Sequence, residues 1–142
     1  MERREGETEN EYKKRYLRQY GKAVRTVKRL EQRIEELRMN KELPAALASD
    51  GMPHGHTIKD LSDYIVRLEE REKAYADQIG RRICLYEEIS DKIDTVQNED
   101  ERDVLFLRYV KQLDWEDVAK EMNMSLRKVY YLHGQALKKI RI

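Results

Sequence analysis

Apolar residues recur along much of this chain at alternating steps of four and three, the spacing that brings side chains to one side of a helix. From Ile58 the series runs through Leu61, Ile65, Leu68, Glu72, Tyr75, Ile79, Arg82, Tyr86, Ile89, Ile93 and Val96, and only Glu72 and Arg82 break its apolar character. Such spacing, held over about five heptads, predicts a coiled-coil seam, although Gly80 weakens its middle by about 1 kcal/mol relative to alanine. An earlier stretch, about 9–39, places Leu17, Tyr20, Val24, Val27, Leu30, Ile34 and Leu37 on one face, with lysine, arginine and glutamate elsewhere. Between them, 40–57 contains Pro44, Gly51, Pro53 and Gly55, too many breakers for a helix and length enough to reverse direction. Two helices, about 9–39 and 58–96, the second capped by Thr57, are therefore expected to form a long antiparallel coiled-coil hairpin over 9–97. Residues 1–8 are charged and lack apolar anchors, so they are expected to be disordered.

The pattern then shortens. Asn98 followed by Glu101 has the spacing of an N-cap and its third helical residue, and Glu99, Asp100 and Glu101 suit the positive end of a helix dipole, so a new helix should begin near Glu99. Val104, Leu105, Leu107 and Tyr109 are placed to pack on the next two helices, and Trp115 either stacks there or faces a partner. Asp114 can cap a short helix whose Val118, Ala119 and Met122 face a core. Asn123 tolerates the left-handed backbone of a sharp turn, and Ser125 can cap the next helix. Residues 98–142 thus read as a helix-turn-helix module, and the whole chain as all-α.

The last helix has two faces. Val129, Leu132, Ala136 and Ile140 fall on one side, while Arg127, Tyr131, Gly134, Gln135 and Lys138 fall on the other. From Ser125 to Ile142 there are five basic residues and no acidic one, which makes phosphate the natural partner. A recognition helix enters the major groove with its N-terminal residues against base edges, so Arg127, Lys128 and Tyr131 are the base-contact candidates. Lys138 and Lys139 suit the backbone, and Ser125 and Gln135 complete the candidate interface.

Composition changes this picture in one respect. The chain has 142 residues, 40% charged and 39% hydrophobic, a balance that suits long amphipathic helices better than a large globular core. With 29 basic against 28 acidic residues the net charge is only +1, so attraction to nucleic acid has to be local. No apolar run approaches a membrane span and Met1-Glu-Arg-Arg-Glu is no leader, which gives the expectation of a cytoplasmic protein without membrane contact. The one cysteine, Cys84, beside Ile83 and Leu85, reads as a small packing residue.

Other signals reduce to structure. His54-Gly-His56 offers two imidazoles but no spaced third ligand, so the pair reads as loop and no metal or cofactor is expected. Glu87, Asp91 and Asp94 share a helical flank near Lys92, outside the apolar seam, and read as a solvated face and not as catalytic carboxylates. Tyr12, Tyr16 and Tyr20, interleaved with Lys13, Lys14, Arg15 and Arg18, could stack on bases, but tyrosine at helical spacing reads first as packing. The chain is not expected to be an enzyme.

The residues Glu101-Arg-x-Val-Leu-x-Leu-Arg-Tyr, Leu113-Asp-Trp-Glu-Asp-Val-Ala, Asn123-Met-Ser, Val129 and Ala136-Leu-Lys-Lys-Ile together resemble sigma-70 region 4. They also resemble phage-encoded regulators of the ArpU and RinA type, which join such a module to a helical N-terminal part. Asn123 stands where that family usually has glycine, and Gly134 where many sigma factors carry a basic residue. The resemblance covers the C-terminal third and implies promoter DNA as a partner, bound next to RNA polymerase or a sigma factor. The expectation is a phage or prophage transcriptional regulator that binds double-stranded DNA sequence-specifically and dimerises through its hairpin. Two alternatives stay open: a small terminase-like DNA-packaging subunit, and a coiled-coil adaptor or anti-sigma-like protein-binding module.

Overall fold

A computed structural model describes residues 1–39 and 55–142, and all regular structure among them is helical. The order is α1 (Glu9–Leu17), α2 (Gln19–Met39), α3 (Gly55–Asp94), α4 (Glu99–Leu105), a π-type turn (Phe106–Val110), α5 (Trp115–Met122) and α6 (Leu126–Lys139). Most of the expected loop, with His54, lies outside the described residues. The helix expected from Ile58 starts at Gly55, because an apolar pattern cannot register a first turn that carries no apolar residue.

The helix expected over 9–39 is interrupted at Arg18, where ψ is −10° and α1 gives way to α2. The Gln19 side-chain amide donates to the Tyr16 carbonyl at 3.2 Å, taking up an acceptor of the ladder, which is a recognised cause of a helix break. The first eight residues, expected to be disordered, are instead tied to α1. Arg15 pairs with Glu7 at 2.7 Å, the Tyr12 hydroxyl donates to the Met1 carbonyl at 2.9 Å, and Thr8 and Glu11 cap α1 reciprocally. The Arg15 guanidinium holds the Glu7 carboxyl down to about 2. Charge at this end forms a local network, a use that composition could not distinguish from solvation.

Two compact units result. One comprises Met1–Ala23 with Arg82–Ile142, the other Val24–Arg81. In the second, Val27, Ile34, Leu37 and Tyr64 are buried, and Arg38 of α2 forms an ion pair with Glu72 of α3. In the first, Tyr16 meets Glu88 and Tyr20 meets Tyr86, so partner numbers fall as those of α1 and α2 rise, the sense of an antiparallel pair.

The buried face of α3 departs from the strict heptad. Tyr64 and Leu85 are inside, whereas Ile65 and Tyr86 are exposed. A straight α-helix drifts about 20° per heptad from a 3.5-residue repeat, enough to carry single positions off the seam. The same rotation exposes Cys84, expected to pack, because its neighbour Leu85 takes the inward position. Helix α3 ends at Asp94, but Val96 stays fully packed through a final tight turn in which its N–H donates to the Ile93 carbonyl at 3.0 Å.

Candidate nucleic-acid interface

Three short polar side chains set the geometry of the C-terminal helices. Asp114 accepts the Asp117 N–H at 2.9 Å and starts α5, and Ser125 accepts the Lys128 N–H at 3.2 Å and starts α6. Between them Asn123 adopts the left-handed conformation, with φ 53° and ψ 45°. The Asn123 N–H returns to the Lys120 carbonyl at 3.1 Å and the Met124 N–H to the Ala119 carbonyl at 3.0 Å, the paired bonds that close a helix sharply. Each residue expected to cap or turn here does so.

Helix α6 is held from two sides. Val129 and Leu132 join Val104, Val118 and Ala119 in one core, with Trp115, Met122 and Met124 packed around it. Ala136, Leu137 and Ile140 join a second core that includes Leu17, Ile89, Ile93, Leu105 and Tyr109. The N-terminal half of α6 therefore rests on its own helix-turn-helix and the C-terminal half on α1, α3 and α4. The apolar stripe is wider than the four residues expected from spacing, since Leu137 and His133 are inside as well.

Sequence reasoning overlooks His133 as a core residue. It is only 8% exposed, shares a 2.7 Å hydrogen bond with the Tyr109 hydroxyl, and meets the Trp115 ring edge-to-face at 4.7 Å. Trp115 is stacked within the module: the Arg108 guanidinium lies 4.6 Å over its ring and donates at 2.9 Å to the Leu113 carbonyl, and Tyr130 closes the edge at 5.3 Å. Burial first, then the cations Lys14, Arg108 and Arg18, push His133 down to about 4. Burial also pushes the Tyr109 phenol up to about 12. The residues Val129, Leu132, His133, Ala136, Leu137 and Ile140 form a full 3.6-residue stripe, the signal that could have placed His133 inside.

Lys13 escapes a sequence reading for another reason. It is buried, pairs with Glu9 at 2.8 Å, and donates from Nζ to the Leu137 carbonyl at 2.8 Å. Leu137 lies in the last turn of α6, where carbonyls lack helical partners, so this ammonium closes α6 from α1. No local pattern announces a bond across 124 positions.

The sequence-derived interface residues divide in two. Ser125, Arg127, Lys128, Tyr131 and Lys138 are exposed, and Gln135 is half-buried. Lys128 Nζ stands 6.0 Å from the Tyr131 ring, while Arg127 and Lys138 have no ion-pair partner among the described residues. A methyl group built on Gly134 would meet nothing, so this face presents a shallow open stretch in mid-helix. Lys139 differs: its ammonium holds both oxygens of the Glu101 carboxylate, at 2.8 and 3.0 Å, and Glu101 is only 4% exposed. Its charge answers a buried carboxylate, while 52% of its side chain stays exposed.

The other candidates disperse. The Tyr16 hydroxyl donates to Glu88, Tyr20 meets Tyr86 edge-to-face at 5.7 Å, and burial raises the Tyr16 phenol well above its ordinary range, so these two rings pack. Glu87, Asp91 and Asp94 are exposed. Among the described residues no helix is long and apolar enough to cross a membrane.

No curated protein and no solved structure matches the chain. The family model for sigma-70, region 4 matches residues 98–140, the segment that runs from the Asn98 cap to the end of α6. A domain of that family points to a DNA-binding regulatory role. Residues 98–140 are a sigma-70 region 4-like helix-turn-helix domain.

Proposed function

We propose that this chain is a sequence-specific transcriptional regulator of phage or prophage origin, which binds double-stranded DNA at promoters with or near RNA polymerase and is not an enzyme. The observation that carries the reading is the outer face of α6. A capped helix, anchored by two cores, exposes Arg127, Lys128 and Tyr131 in its first two turns, with Arg127 in no ion pair among the described residues. A docked helix whose N-terminal side chains are cationic, aromatic and uncommitted is the arrangement by which major grooves are read. RNA polymerase or a sigma factor is the protein partner proposed, and a dimer the working form.

Selection from random duplex DNA, followed by footprinting of the winners, tests the reading. The expected result is one enriched motif, with log affinity falling linearly in log salt by about 0.9 per phosphate neutralised. Recovery of no motif, together with salt-indifferent binding, would overturn it in favour of a protein-binding adaptor. A ring of many copies in solution would favour the packaging subunit.

A further inference from the structure

The chain as a whole is nearly neutral, yet between Glu11 and Glu31 it carries eight cations and no carboxylate. Some of these are committed. Lys13 serves the end of α6, and Arg15 serves Glu7. Within the unit that contains α6, the uncommitted ones are Lys14, which is half-buried, and Arg18 and Lys22, which are exposed. Among the described residues, the side chains of these three make no ion pair and no hydrogen bond.

The surroundings of Arg18 and Lys22 show which carboxylates are near them. A groove of about 550 Å³ at the α1–α2 corner is lined by Arg4, Arg15, Arg18 and Lys22 and also by Glu5, Glu7 and Glu11. Glu7 is taken by Arg15 at 2.7 Å, and Glu11 by the Thr8 cap, whose N–H and hydroxyl donate to it at 2.9 and 2.8 Å. Glu11 acts on Lys14 only through space. Glu7 and Glu11 thus have other partners, Glu5 makes no ion pair among the described residues, and the four cations of the lining outnumber its three carboxylates.

The position of that charge is fixed relative to α6. The Lys13 bond to the Leu137 carbonyl pins α1 at the C-terminal end of α6, and the charges of Lys14 and Arg18 are near enough to act on His133. A helix that presents its N-terminal turns to base edges leads its C-terminal end out across the sugar–phosphate backbone. We infer that Lys14, Arg18 and Lys22 at the α1–α2 corner form a second contact surface for duplex DNA, one that neutralises backbone phosphates beside the groove occupied by α6 and adds affinity without reading sequence. This rests on the DNA-reading function proposed for α6.

The test compares the wild type with three full-length variants on the selected duplex and on a scrambled one, across a salt series. Lys14→Gln, Arg18→Gln and Lys22→Gln combined should lower the salt slope by about 0.9 for each phosphate no longer neutralised, up to three such steps. Affinity should fall by the same factor on both duplexes, and the footprint should shorten on one side. Lys14→Arg with Lys22→Arg should keep the wild-type slope. A control with equal charge loss at Lys59, Lys73 and Arg81, all exposed on α3, should also keep it. A triple variant that melts like wild type with an unchanged slope overturns the inference while leaving the α6 reading intact. So does a control that loses as much slope as the triple variant, since the effect would then be global charge. If the wild-type protein binds neither duplex, both readings fall together.

Discussion

Arg127 stands in the first turn of α6, exposed and unpaired among the described residues, on the side of the helix away from Val129 and Ala136. Arg127→Ala is expected to cost about 1 to 3 kcal/mol on the selected duplex and much less on random DNA, as for a side chain that reads a base edge. Equal losses on both, measured by titration at one salt concentration, would make it a phosphate contact and move the reading to Lys128 and Tyr131. His133 gives a second prediction. Its folded pKa lies near 4 against an ordinary 6.5, so below pH 6.5 the unfolded chain binds a proton that the folded chain refuses. Stability is therefore full above that value and lost as pH falls, by about 2 to 3 kcal/mol at pH 4.5. His133→Gln, which keeps an acceptor for Tyr109, should flatten that dependence in urea melts, and parallel losses in both proteins would refute the assignment. Asp114, Asn123 and Ser125 were legible in the sequence because a cap or a left-handed turn is decided by bonds within three to five residues. For His133 the stripe on α6 could give burial but not the partners, because the Tyr109 hydroxyl and the Trp115 ring that enclose it arrive from other elements.

At the scale of elements, helices of the module are fixed by charges from one another. Glu101, in the first turn of α4, is buried and answered by Lys139 in the last turn of α6, so the pair joins the positive end of one helix dipole to the negative end of another. Lys138 and Lys139 are consequently unlike, though adjacent and identical in type. Lys138→Gln should lower the salt slope of DNA binding by about 0.9 and leave stability unchanged. Lys139→Met should leave the slope unchanged and cost about 1 to 3 kcal/mol, because the Glu101 carboxylate is left buried without its cation. Glu101→Gln added to Lys139→Met should recover part of that loss in thermal melts. The reverse pattern, with stability lost at Lys138 and slope at Lys139, would sink the distinction. The sequence shows two lysines on a basic helix, and nothing in it marks the one whose partner lies 38 positions away.

At the scale of the molecule, helical content and the line where the short helices begin were readable from periodicity, because a packed face imposes its spacing on the residues that form it. The register of α3 was readable only to within one residue: Tyr86, expected on the seam, and Cys84, expected to pack, are exposed, with Ile83 beside them. For the dimer we propose, this strip is the expected contact: light scattering at tens of micromolar protein should give twice the chain mass, a bismaleimide should join Cys84 to Cys84, and Ile83→Asp should abolish both. A strictly monomeric mass would remove the dimer. The bond from Lys13 to the Leu137 carbonyl spans 124 positions, and the core beneath it draws on Leu17 as well as Ile140. On a ribosome adding about 5 to 20 residues each second, α1 therefore waits roughly 6 to 25 s for the stretch of chain that covers it. During that interval Tyr16 and Leu17 can pack only on α3, against Leu85, Ile89 and Ile93, and the side that Leu137 and Ile140 close stays open. The helix proposed to read DNA is, by the same bond, closed at its far end only once α1 has docked on it.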